Sequence, residues 1–85
     1  METRVALISM IVQDQESALE INALLHAYRQ YIIGRMGIPY APKKISIISI
    51  AIDAPQDIIS ALSGKLGALR GVSAKTVYSK VEGVN

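Results

Sequence analysis

Cysteine is absent from all 85 residues. That excludes a disulfide framework, thiolate metal sites, cysteine-ligated iron–sulfur clusters and a cysteine nucleophile. Phe and Trp are also missing, and the four Tyr are the only aromatic residues. None of the four falls in the apolar segments around residues 5–12 and 45–52, where a base-stacking RNA platform would need them. His26 is the only candidate imidazole, which makes a catalytic triad hard to build, and with no second His and no Cys it is a poor metal site within one chain. Charge is not concentrated: nine Lys and Arg against seven Asp and Glu leave a net charge of +2, scattered along the chain, which is not the clustered footprint of a nucleic-acid binder. Long hydrophobic runs are lacking as well. "VALISMIV" and "ISIISIAI" are eight residues each, whereas a membrane-spanning helix takes about 20. The N-terminus does not show the basic, apolar and small-residue order of a signal peptide. These absences lead us to expect a single domain over 1–85 that is cytoplasmic, not an enzyme, and without cofactor, membrane or nucleic-acid partner.

What is present is apolar and strongly patterned. Hydrophobic residues make up 51% of the chain. Thr3–Val12 is rich in β-branched residues and of strand length. Asp14 or Ser17 is placed to cap a helix whose Ala18, Ile21, Leu24, Leu25 and Tyr28 recur at helical spacing. Tyr31–Ile38 reads as a second strand, "PYAPKK" as a proline-punctuated turn and Lys44–Asp53 as a third strand. Pro55 opens a second helix with Ile58, Ile59, Leu62, Leu66 and Leu69 on its stripe, ended by Gly67 and Gly71. Val72–Val81 is a fourth strand and 81–85 a frayed tail. With an offset of forty residues, "VALISMIVQDQESALE" overlays "ISIISIAIDAPQDIIS", strand on strand and helix on helix. Two right-handed βαβ units of this kind predict an α+β, ferredoxin-like βαββαβ sandwich. Its antiparallel sheet has the order 4-1-3-2, with both helices on one face.

Such a sheet exposes its second face to water, and its strands normally alternate in polarity. Here they barely do. The bulkier Ala6, Ile8, Met10 and Val12 are assigned to the helices, together with Ile48, Ile50 and Ile52. Val5, Leu7, Ser9, Ile11, Ile45, Ile47 and Ser49 then fall on the open face, joined by Val77. A contiguous apolar patch of this size is rare on a monomer. A second copy in a two-fold contact would cover it, giving a homo-oligomer, dimer or tetramer. The competing reading is a monomer whose C-terminal tail folds over the sheet.

"YIIGRMGIPY" carries the other unusual feature. Glycine inside a strand marks a bulge or a close approach to the backbone. Gly34 and Gly37 around Arg35 fit two readings: a shallow site where Arg35 forks onto a carboxylate or phosphate, with Tyr40 and Lys75 nearby, or a bent edge strand with Arg35 paired to an acidic neighbour. His26 fits two as well, a metal ligand shared between subunits or an ordinary half-exposed helix residue. In "SGKLG", Gly64 and Gly67 allow tight helix packing while Lys65 extends to solvent.

The runs "LHAYRQYIIGRMGIPY", "ISIISIAIDAP" and "ISALSGKLGALRGVSAKTVYSK" closely resemble the small iron-only ([FeFe]) hydrogenase system regulators. The similarity extends from Thr3 to Lys80. That family is described as ACT-like and is grouped with the C-terminal, nickel-binding half of nickel-responsive transcription factors. The resemblance implies an ACT-like, ferredoxin-like fold, oligomers built through sheets, and ligand sensing in the hydrogenase system. The partner would be a small anion or a hydrogenase-maturation protein. Nickel-responsive regulators use several His and a Cys, of which only His26 has a counterpart in residue type here. No ribbon-helix-helix precedes the first strand, so direct DNA binding is not expected. The alternatives to a ligand sensor are an interaction module without a small ligand and a metal sensor using His26 across subunits.

Overall fold

The computed structural model describes residues 2–80. Six main elements follow one another: β1 (Arg4–Val12), α1 (Ala18–Ala27), β2 (Ile32–Tyr40), β3 (Ile45–Ala54), α2 (Gln56–Gly67) and β4 (Val72–Tyr78). Three single 3₁₀ turns, at Gln15–Ser17, Arg29–Tyr31 and Ala41–Lys43, join them. The sheet order is β2-β3-β1-β4, which is 4-1-3-2 read from the other edge, and every neighbouring pair is antiparallel. The architecture is therefore the expected ferredoxin-like α+β sandwich. The expected frayed tail, 81–85, lies outside the described residues.

Parity along the central strands builds the core. Successive side chains of a strand point to opposite faces. Ala6, Ile8, Met10 and Val12 of β1 are buried with Ile50, Ile52 and Ala54 of β3. Against them pack Ile21 and Leu25 of α1 and Ile59, Leu62 and Leu66 of α2. Fully burying one such Leu or Ile contributes about 1.5–3 kcal/mol, so this single layer contact holds the domain together.

The helix ends depart from expectation in detail. Asp14 caps the 3₁₀ turn, its carboxylate accepting from the Glu16 amide at 2.9 Å. Ser17 occupies the N-cap position of α1 but is buried, and its hydroxyl donates instead to the Arg70 carbonyl at 2.6 Å. Pro55 stands one position before α2, where its carbonyl accepts from the Ile58 and Ile59 amides. The α2–β4 loop is clamped onto the β1–α1 loop: the Gln13 amide donates to the Gly71 carbonyl at 2.7 Å, and Arg70 pairs with Asp14 at 3.4 Å. Gly71 has φ +70°, and a Cβ there would sit 2.5 Å from the Asp14 Cβ. Both conditions demand glycine.

β2 runs further than the sequence indicates. It continues through Pro39, opposite Ser46, to Tyr40. An edge strand tolerates proline because one row of its amides has no ladder partner to lose, and β2 pairs only with β3. The turn then closes at Lys44, in the left-handed region with φ 56°.

Candidate functional site

The placement of site residues is decided by one irregularity in β2. Ile32 pairs with Ile52, but the next register pair is Gly34 with Ala51, so Ile33 is an extra, bulged residue. A one-residue slip reverses the facing of everything that follows. Ile32 therefore points to the helices, whereas Gly34, Met36, Ile38 and Tyr40 lie on the open face beside Ala51, Ser49, Ile47 and Ile45. Arg35 and Gly37 fall on the helix side, opposite Ile50 and Ile48.

The open face is consequently apolar across all four strands. Val5, Leu7 and Ile11 of β1 remain 45–46% exposed, with Met36, Ile38 and Tyr40 of β2 and Val77 of β4 also exposed. Of the large hydrophobics exposed among the described residues, only Leu19 and the bulged Ile33 lie elsewhere. Ile45, Ile47 and Ser49 of β3 are half-buried on the same face. Ser9 and Ser49 face each other across β1 and β3, their hydroxyls 3.0 Å apart, which satisfies the two polar groups at the centre of the patch. Lys75 lies beside Ser9 and Val77 beside Leu7. Every residue assigned to this face from the sequence lies on it. Met36 and Ile38 were missed, because the bulge that turns them outward leaves no mark in the alternation.

Gly34 makes a shallow depression of about 230 Å³ in this face, bordered by Leu7, Arg35, Met36, Ser49 and Ala51. A Cβ added at Gly34 would meet nothing within 4 Å, and the same holds at Gly37. Neither glycine carries a positive φ. Packing within the subunit therefore requires glycine at neither position.

On the other side of β2, Arg35 reaches α1 and not an acidic neighbour: its Nη2 donates to Asn22 Oδ1 at 3.3 Å. Asn22, Leu25, His26, Arg29, Ile32 and Arg35 line a crevice of about 340 Å³ between α1 and β2. Arg29 Nη1 donates to the His26 carbonyl at 2.9 Å, closing the C-terminal end of α1. The five residues expected to share a ligand site are thus divided. Gly34, Tyr40 and Lys75 belong to the sheet face, Arg35 borders both the Gly34 depression and the crevice with His26, and Gly37 is exposed beyond it. Asn22 and Arg29 went unnoticed as site residues, although the spacing of four puts Asn22 on the helical face of His26; Arg29 reaches the crevice from the 3₁₀ turn that follows α1. Among the described residues no group of three or more His, Asp or Glu side chains is placed to hold a metal ion. Among the described residues no helix is long and apolar enough to cross a membrane. Lys65 is exposed, and its Nζ donates to the Tyr28 hydroxyl at 2.9 Å.

Topology, register and the two-layer core define a small ferredoxin-like α+β domain whose second sheet face is apolar. Comparison with known proteins narrows this class. Residues 4–76 match the family model described as "TM1266-like: Iron-only hydrogenase system regulator, putative", and the chain belongs to that family. The uncharacterized protein TM1266 from Thermotoga maritima is 39% identical; the match covers 93% of this chain and 100% of that one, with a TM-score of 0.87. A formyltetrahydrofolate deformylase from Pseudomonas putida KT2440 matches with a TM-score of 0.62 at 11% identity, over 86% of this chain and 28% of the enzyme. That likeness is one of fold alone. No curated protein matches the sequence.

Proposed function

We propose that the chain is a non-enzymatic, cytoplasmic regulatory domain of the iron-only hydrogenase system that works as a homo-oligomer, with the open sheet face joining the copies. The observation that carries this reading is the apolar face itself: seven large hydrophobic side chains from three strands, all about half exposed or more. The nine-residue length of β1 at about 3.3 Å per residue, with four strands across at about 4.8 Å, gives a footprint of roughly 30 × 19 Å. Doubled over two copies, that approaches the area of about 1,200 Å² at which standard interfaces begin. The depression at Gly34 supports the same reading, because a strand glycine costs about 0.5–1 kcal/mol against Ala and here opens onto space that a partner side chain can fill. Lys75 and Tyr40 then border the contact, and the ligand-sensing function falls to Arg35 on the other side of β2. A bound ligand would act by favouring one subunit arrangement over another.

Light scattering on wild type and Leu7→Asp tests the reading. Wild type is expected to elute as an oligomer and the variant as a 9.2 kDa species. If wild type is itself monomeric at micromolar concentration, the self-association fails. The face is then that of an interaction module, and a hydrogenase-maturation protein becomes the partner to test.

A further inference from the structure

We infer that the crevice between α1 and the start of β2 is a binding site for a small phosphate-bearing metabolite. The inference rests on the reading that this domain senses a small molecule, and not on the contact between sheets. Two guanidinium groups and an imidazole line one crevice: His26 from the end of α1, Arg29 from the 3₁₀ turn after it, and Arg35 turned to the same side by the bulge. Among the described residues, no carboxylate pairs with either arginine. Each guanidinium carries five N–H donors in a planar fork. Arg29 uses one on the His26 carbonyl and Arg35 one on Asn22, and those bonds orient the forks while leaving further donors for a ligand. Leu25 and Ile32 complete the lining with apolar surface.

The chemistry selects among ligands. A metal cation at His26 would be repelled by the two guanidinium groups. A carboxylate has two oxygens and saturates one fork, whereas a phosphate monoester presents three terminal oxygens and can engage both. The volume of about 340 Å³ is at the small end of ligand sites, which span about 300–1,000 Å³. It suits a phosphate on a short carbon skeleton. Arg35 lies between Gly34 and Met36, which face the opposite side of the sheet, so a ligand held here is one residue removed from the proposed interface.

The test is a ¹⁵N NMR titration of the whole chain with inorganic phosphate and, separately, with acetate. Saturable shifts are expected at the Arg29 and Arg35 Nε–H signals and at the Asn22 and His26 amides, with phosphate binding more tightly than acetate. Arg35→Gln should weaken phosphate binding about tenfold or more, the size of effect seen when a charge-assisted hydrogen bond is lost. Arg70→Gln, which removes a guanidinium paired with Asp14 in the α2–β4 loop, should leave it unchanged. No saturable shift at those signals, equal response to the two anions, or equal weakening by both substitutions would overturn the site. The shifts are read residue by residue in whatever assembly the protein adopts. A monomer that binds phosphate therefore contradicts only the contact between sheets, and an oligomer with a silent crevice contradicts only the site.

Discussion

Leu7 and Ile8 are adjacent in β1 and should fail in opposite ways when substituted. Leu7 is 46% exposed and Ile8 is 0% exposed. Complete burial of a leucine contributes about 1.5–3 kcal/mol, so the half left outside represents about 0.7–1.5 kcal/mol per copy, counted twice in a two-fold contact. Leu7→Ala should therefore weaken assembly by about 1.5–3 kcal/mol, roughly 10- to 100-fold in the dissociation constant. Leu7→Asp adds two carboxylates that lose their hydration in the interface, a further cost of several kcal/mol, and should yield the 9.2 kDa species alone. Its thermal melt should remain cooperative, but the midpoint should no longer depend on protein concentration, as the wild-type midpoint should. Ile8→Ala removes core volume instead, at about 2–5 kcal/mol, and should lower the midpoint by about 4–8 °C for each kcal/mol lost in a domain of this size. Light scattering reads the mass and circular dichroism the melt. A Leu7→Asp protein that keeps the wild-type mass would refute the reasoning.

Other substitutions probe the remaining links. Gly34→Ala meets no atom within 4 Å and should raise the stability of the isolated subunit by about 0.5–1 kcal/mol in chemical denaturation, whereas Gly34→Met fills the depression and should reduce the oligomeric mass. Gly71→Ala combines a φ of +70° with a Cβ contact of 2.5 Å to Asp14; the left-handed backbone alone costs about 1–2 kcal/mol, so the measured loss should exceed that. Ser17→Ala removes the donor to the Arg70 carbonyl and should cost about 0.5–1.5 kcal/mol, read as a lower urea midpoint at unchanged slope.

The fold was legible because two strong patterns agree. Thr3–Val12 and Lys44–Asp53 are β-branched runs of strand length, and each is followed by a helical stripe, so element order, topology and the inward set on β1 and β3 could all be read in advance. The apolar second face was legible for the same reason: Val5, Leu7 and Ile11, like Ile45 and Ile47, are large side chains at the wrong parity for a sheet with one wet face. The facing of β2 was not. Its two glycines and its arginine and methionine give no alternation to follow, and the bulge at Ile33 reverses the parity part-way along. That is why Arg35, expected with Gly34, Tyr40 and Lys75, borders the Gly34 depression but also reaches Asn22 and the crevice lined by His26 across the sheet edge. The crevice joins α1 to a strand whose facing only the folded chain determines, so its basic character could not be read from either segment alone.

The claim on which the regulatory reading most depends is that a second copy covers the open sheet face. Sedimentation equilibrium of the wild-type protein over a micromolar dilution series tests it directly. The expected result is a mass of twice 9.2 kDa or a higher multiple, falling only on strong dilution; a constant 9.2 kDa across the series would contradict it.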